Sequence, residues 1–282
     1  MKPPKYVEIK AFNNSYSIVR FTQKKDLVSY KNLSVNIIAS GPSISNMNYD
    51  KDFLDSPTIF VNGSIRLLEN FNFAKIIGYV ISDDRFIKHN AKIIENIYSG
   101  QPLFITKPVL HALAESLPEL IEKYHDSINI IYPVDRPLLV NNKSIFLKSL
   151  PILNKVAKKK LSLDKFKDHL DFVIDSTSYP KPIGVSLNIE NGFVEAGTVA
   201  FVAAQLAYTL GAKHINLYGI DLINSSQPRF YESKDDAAPC KLDKAITDRI
   251  VPSFDLMGKV YNQHGVKVTN KSPVSKGLFR NI

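Results

Sequence analysis

The chain has 282 residues, 44% of them hydrophobic and 22% charged, an ordinary globular composition with enough length for one large α/β domain or two small ones. Its 36 Lys and Arg against 27 Asp and Glu give a net charge of +9, which suits an acidic partner: nucleic acid, an anionic membrane face or a phosphorylated substrate. A single cysteine, Cys240, excludes a disulfide framework and a cysteine-based zinc site and points to a reducing compartment. No run approaches the ~18 apolar residues that cross a bilayer, and the start Met1-Lys2-Pro3-Pro4 lacks the apolar core of a secretory signal, so a cytoplasmic location is expected.

Taken in order, Tyr6 to Lys10 and Ser15 to Phe21 read as two short strands around Asn13-Asn14, a hairpin at the edge of the main domain. After a polar link from Thr22 to Ser34, the apolar run beginning at Val35 feeds directly into Ser40, Gly41, Pro42 and Ser43, a buried strand ending in a tight loop. By itself that is also an ordinary strand-to-helix turn. Two more strands end the same way: Thr58 to Val61 in Asn62, Gly63 and Ser64, and Lys75 to Ile81 in Ser82, Asp83 and Asp84. Repetition places polar groups along one edge of a sheet, where a nucleotide crevice forms and where backbone amides approach phosphate closely.

Pro102 to Thr106 and Ser127 to Tyr132 are further strands, separated by a helical stretch from Val109 to Lys123. Residues 133 to 192 lack clear periodicity, carry many lysines and contain Tyr179-Pro180-Lys181-Pro182; they read as an insertion or substrate-binding subdomain. Within them Lys155 to Lys160, with Lys165 and Lys167, is either a basic segment lying on anionic lipid head groups or a solvated helix face. Thr198 to Leu210 is a helix buried on most sides and stopped by Gly211. His214 to Tyr218 is a strand ending in Gly219, Ile220 and Asp221, and a polar, lid-like segment follows from Asn224 to Asp248. A helix near Val251 to His264, a strand from Val266 to Thr269 and the turn Ser272-Pro273-Val274-Ser275 close the chain. The βα alternation predicts one α/β domain over residues 1–282, a doubly wound and mostly parallel sheet with a lid and a basic insertion. No nucleic-acid reader module with interleaved aromatics accompanies the charge, so nucleic acid is not expected as partner.

The Ser40-Gly41-Pro42-Ser43 loop, Val61-Asn62-Gly63-Ser64, Ser82-Asp83-Asp84-Arg85-Phe86, the helix from Ala196 to Leu210, Gly219-Ile220-Asp221-Leu222 and Pro228-Arg229-Phe230-Tyr231-Glu232 together resemble the WaaZ (RfaZ) lipopolysaccharide core proteins, associated with adding a Kdo sugar to the inner core. More distantly, the same order of loop, long helix, Gly-Ile-Asp and late Ser-Pro-x-Ser is similar to the bacterial sialyltransferases of the Campylobacter type. The resemblance covers residues 35 to 90 and 190 to 275, with little match across 100 to 185.

That resemblance implies a Rossmann-like, GT-A-like sialyltransferase architecture, a CMP-activated 2-keto acid sugar as donor and a lipopolysaccharide or lipooligosaccharide core as acceptor. It implies donor contacts from Ser40, Gly41, Ser43, Asn62, Ser82, Gly197, Thr198, Ser272 and Ser275. Asp221 either orients donor or acceptor hydroxyls or caps its loop. Arg229 and Tyr231 stand in the region where the sialyltransferases carry two tyrosines on the leaving phosphate, and they either serve that end or pack as part of the lid. The sialyltransferases place a catalytic histidine in the lid, but none occurs between Phe230 and Arg249 here. The base is therefore sought among Asp83, Asp84 and Glu232, with His264 a remoter candidate. Asp83-Asp84 could also hold a divalent ion, but a CMP-sugar has no pyrophosphate to bridge, and neither metal nor other cofactor is expected. The basic surface would meet the anionic inner-membrane leaflet. The alternatives are a sialyltransferase using CMP-sialic acid, a nucleotide-binding regulatory protein without turnover, and a basic RNA-binding module.

Overall fold

The computed structural model describes residues 3–22, 30–136, 160–223, 228–232 and 245–282. Cys240, Lys155 to Lys159 and most of the Asn224 to Asp248 segment lie outside the described residues.

Seven parallel strands form the central sheet: β3 (Ser34–Ile38), β4 (Thr58–Val61), β5 (Ile76–Ile81), β6 (Leu103–Ile105), β7 (Ile128–Ile130), β10 (His214–Tyr218) and β11 (Lys267–Asn270). Their spatial order is β11-β10-β3-β4-β5-β6-β7. The chain therefore builds outward from β3 to β7, then returns to the other side of β3, and the winding reverses between β3 and β10. Both faces are covered, which is why the central strands read as unbroken apolar runs: β4 is buried at all four positions and β3 at four of five.

On one face lies α5 (Val199–Thr209), packed across β3, β4, β5 and β10. Phe201, Leu206 and four alanines of it are buried, and small residues let the helix sit close to the sheet. The α6 helix (Val251–Gln263) joins this layer through Phe254 and Met257. The other face carries α2 (Asp84–Ile97), α3 (Lys107–Ser116) and α4 (Pro118–Tyr124), with the short α1 (Lys51–Asp55) capped by the Asp50 carboxylate, which accepts from Phe53 N at 2.9 Å. The helical stretch expected from Val109 to Lys123 is thus two helices. Pro118 excludes its predecessor from helical geometry, and Leu117 sits at φ −142°, ψ 61°.

The expected hairpin is present as β1 (Tyr6–Ala11) and β2 (Asn14–Val19), with alternate β1 residues buried against α3. Its tail continues the main sheet beyond β7, since Phe21 N donates to Ile130 O at 2.9 Å. Within residues 160–192 the described chain forms an antiparallel pair, β8 (Phe172–Asp175) and β9 (Ile183–Ser186). Phe172, Ile183 and Val185 are buried, and Tyr261 on α6 donates to Ser186 O at 2.8 Å.

Two polar devices, one half-buried and one fully buried, stand out in this otherwise apolar core. Asn216 on β10 donates through Nδ2 to Ser34 Oγ (2.9 Å) and to Asn36 Oδ1 (3.1 Å) on the adjacent strand. Gln205, fully buried on α5, accepts from the amides of Ser186 and Val194 (2.9 and 3.0 Å) and donates to Val194 O and Phe201 O. Its amide is completely paired, and it pins the segment that delivers residues 195–198 to the amino end of α5.

Candidate active site

Because every strand of the sheet is parallel, the loops after β3, β4, β5, β6, β7, β10 and β11 all emerge on one edge. The first group of predicted residues braces that edge. Asp221, after β10, accepts from Ser43 N at 2.6 Å and from Ser43 Oγ at 2.8 Å, and Gly41 N donates to Gly219 O at 2.9 Å. A Cβ on Gly41 would lie 2.5 Å from the Asp221 carboxylate, so only glycine permits this approach. Ser272 Oγ accepts from Ile220 N at 2.6 Å; Ser275 Oγ accepts from Leu222 N at 2.8 Å and donates to Ile220 O. Asp221, Ser272 and Ser275 are all buried. Of the two readings of Asp221, loop bracing is the geometry observed, and the two serines brace the same loop from the far side.

A second group gathers over β3 and β4. Phe230 N donates to Ser40 O at 3.2 Å, and Arg66 Nη1 donates to Tyr231 O at 3.0 Å. The Tyr231 ring lies directly on Gly63, where an added Cβ would come within 2.1 Å of it. Burial pushes the Tyr231 phenol up to about 12, against the opposing influence of Arg229. Arg229 is ion-paired with Glu232, whose other carboxylate oxygen accepts from Arg229 N at 3.0 Å. Asn62 adopts a left-handed φ of 50°, and its buried Oδ1 has no hydrogen-bond partner among the described residues.

The third group lines a cleft of about 360 Å³ where the ends of β5, β6 and β7 meet the amino end of α5. Ser82, Asp83, Asp84, Gly197 and Thr198, all candidates from the sequence, face it, and so do five cationic side chains, of which Lys107, Arg136, Lys160 and Arg249 were not anticipated. The fifth, Arg85, pairs with Asp83. Asp83 also caps α2 by accepting from Arg85 N at 3.0 Å. Burial alone would raise the Asp83 carboxyl, but hydrogen bonds from the Arg85 side chain and backbone bring it below its ordinary value. Asp84 pairs one turn along with Lys88 at 2.5 Å. Glu195 Oε2 accepts from Lys160 at 2.5 Å and Arg136 at 3.0 Å, and Arg249 donates to the Glu195 backbone carbonyl. Among the described residues no side chain caps α5 at Thr198, so its first-turn amides and positive dipole end border the cleft.

Ser43 faces elsewhere, into a shallower groove of about 660 Å³ with Phe53, Tyr218 and Lys271. His264 is removed from the site: its ring accepts or donates to Tyr208 OH at 2.6 Å, at the carboxyl end of α5. Among the described residues no three His, Cys, Asp or Glu side chains cluster to hold a metal ion, and no helix is long and apolar enough to cross a membrane. Of the unanticipated residues, Arg249 left a signal: it closes the polar 224–248 segment immediately before an apolar helix, and a π-helical turn over Ile246–Ile250 aims it at the cleft.

The fold and site define a doubly wound α/β protein with a cation-lined cleft at the carboxyl edge of its sheet. Residues 21–275 match the family described as 3-deoxy-D-manno-octulosonic acid transferase WaaZ, and the chain belongs to that family of glycosyltransferases. A probable 3-deoxy-manno-octulosonic acid transferase of Salmonella typhimurium is 28% identical over 203 residues, covering 71% of this chain and 68% of that one. Among solved structures, the Campylobacter jejuni sialyltransferase CstII in complex with cytidine-5'-monophosphate aligns over 89% of this chain and 86% of its own, at 14% identity and a TM-score of 0.44. The monofunctional alpha-2,3-sialyltransferase Cst-I of the same organism aligns over 97% and 85%, at 14% identity and a TM-score of 0.42.

Proposed function

We propose that this chain transfers Kdo from CMP-Kdo to the inner core of lipopolysaccharide or lipooligosaccharide. The observation that carries the reading is the cationic cleft at the uncapped amino end of α5, in a chain of the WaaZ family. The acceptor hydroxyl attacks C2 of Kdo, the bond from C2 to the phosphate oxygen breaks, and CMP leaves with the electron pair. The amides at the amino end of α5, together with Lys107, stabilise charge developing on the phosphate. The nucleotide lies toward the Ser40–Ser43 loop and Asn62, under a lid that includes Arg229 and Tyr231. The acceptor proton passes to Asp84. Asp83 is capped and ion-paired, with a lowered pKa that weakens it as a base, and Glu232 is held by Arg229 outside the cleft, whereas Asp84 lines the cleft with only an exposed pairing to Lys88. The basic surface faces the anionic membrane that carries the acceptor.

The test is incubation of the purified chain with CMP-Kdo and a truncated core acceptor, following CMP release and the mass gain of one Kdo. Asp84→Asn is expected to lower kcat by roughly 10²–10⁴ with binding of CMP retained. A sialyltransferase reading predicts preference for CMP-sialic acid in direct competition. One observation favours a binding-only protein, namely that every candidate carboxylate holds a cation; such a protein would bind CMP yet release none from the donor.

A further inference from the structure

Three cations from three separate segments converge on one residue at the rim of the cleft. Arg136 follows β7, Lys160 opens the next described segment, and Arg249 precedes α6; all three bond Glu195, Arg136 and Lys160 through its carboxylate and Arg249 through its backbone carbonyl. Asp135 adds a second contact to Lys160 at 3.3 Å. Arg136 also acts electrostatically on the Asp83 carboxylate across the cleft, and Arg249 has no ion pair among the described residues, so the three cations of the cluster outnumber Glu195 and Asp135. Glu195 stands three residues before Thr198, which places this guanidinium pair beside the amino end of α5.

Two anion-holding groups side by side match a particular chemistry. In a CMP-activated 2-keto acid sugar the leaving phosphate and the sugar carboxylate hang from the same carbon, C2, whereas a neutral sugar offers the phosphate alone. A guanidinium fork fits a planar carboxylate through two parallel hydrogen bonds, and helix amides suit the phosphate. Position agrees: with strands about 4.8 Å apart, the ends of β5 to β7 lie roughly 10–20 Å along the edge from β3, the reach of a sugar whose nucleoside sits at the β3–β10 reversal.

Building on the Kdo-transfer reading above, we propose that Arg136 and Arg249 bind the carboxylate of the donor sugar and thereby select an acidic sugar over a neutral one, with Glu195 as the residue that positions them. The experiment compares CMP, which lacks the carboxylate, with CMP-Kdo. Arg136→Ala and Arg249→Ala are expected to raise KM for CMP-Kdo about thirty-fold or more while leaving the CMP dissociation constant within about two-fold. Arg249→Lys, which keeps the charge without the fork, gives an intermediate loss and guards against an alanine variant that fails to fold. Glu195→Gln raises KM with kcat unchanged, a split that general destabilisation would not produce. Equal weakening of CMP and CMP-Kdo would place the pair on the phosphate and overturn the assignment, as would an unchanged KM in variants of an active wild type. A wild type that binds CMP but transfers no Kdo overturns the function and this assignment together.

Discussion

Replacing Gly63 by alanine puts a methyl group where the Tyr231 ring lies. The added carbon would sit 2.1, 2.3 and 2.7 Å from three atoms of that ring, well inside van der Waals contact, and rotation of the phenol about its own axis cannot clear all three. Either the Gly63 loop shifts or the Pro228–Glu232 segment lifts away from Ser40 and Arg66. Overpacking of this kind costs roughly 1–3 kcal/mol, which for a domain of this size lowers Tm by about 2–6 °C. The assay is thermal and urea unfolding of Gly63→Ala, of Tyr231→Ala and of the double variant. With the ring absent the three closest contacts of the methyl are gone, so Gly63→Ala is expected to cost much less in the Tyr231→Ala background, with a coupling of about 1–3 kcal/mol. If Gly63→Ala is as damaging without the ring as with it, Tyr231 is not seated on Gly63 and the closed position of this segment is wrong.

Gln205→Leu keeps the volume of a fully buried side chain but orphans the amides of Ser186 and Val194 and the Val194 carbonyl, so a loss of about 3–5 kcal/mol is expected by calorimetry, together with weaker donor binding as residues 195–198 loosen. Asp83 contributes stability that is present above its ordinary value of 3.8 and is lost as pH falls through the lower folded value. The stability gap between wild type and Asp83→Asn is therefore expected to be constant from neutral pH down to about that value and to close below it, read by denaturation as a function of pH. Addition of EDTA is expected to leave the transfer rate unchanged, because CMP-Kdo has no pyrophosphate for a divalent ion to bridge; a rate restored only by Mg²⁺ or Mn²⁺ would refute this.

The sheet was legible because its information is local. A strand buried on both faces is a short apolar run, and Ser40-Gly41-Pro42-Ser43, Asn62-Gly63-Ser64 and Ser82-Asp83-Asp84 punctuate three such runs where the chain turns. The α5 helix was legible from its nearly continuous apolar and small residues. The α2 helix left a readable mark too, an Asp83 cap ahead of Phe86, Ile87 and Ile94 on one face. The β8–β9 pair was not legible: four residues a strand, three of β8's partly exposed, give periodicity too little to work on. The site divides in the same way. Ser82, Asp84, Gly197 and Thr198 reach the cleft because each borders the end or the start of a recognisable element. The bracing of Asp221 depends on a partner 178 residues away, and the Arg136, Lys160 and Arg249 cluster joins positions 59, 35 and 54 residues from Glu195. No local pattern encodes such meetings.

The Asn216 link to Ser34 and Asn36 bears on how the molecule assembles. Strand β10 must find β3 after all the intervening strands have been laid down on the other side, a late and entropically demanding closure. Apolar strands offer little to tell one alignment from the next, since Ile37 slipped by two positions still meets an aliphatic neighbour. A slip takes the buried Asn36 amide away from its Asn216 partner, a penalty of roughly 1–3 kcal/mol, with a smaller one for the half-buried Asn216. The pair thus acts as a checkpoint on alignment at the one seam where the winding reverses. Since the loops that leave this seam carry Gly41, Ser43 and Asp221, correct registry there is also what brings the two halves of the ligand edge into line.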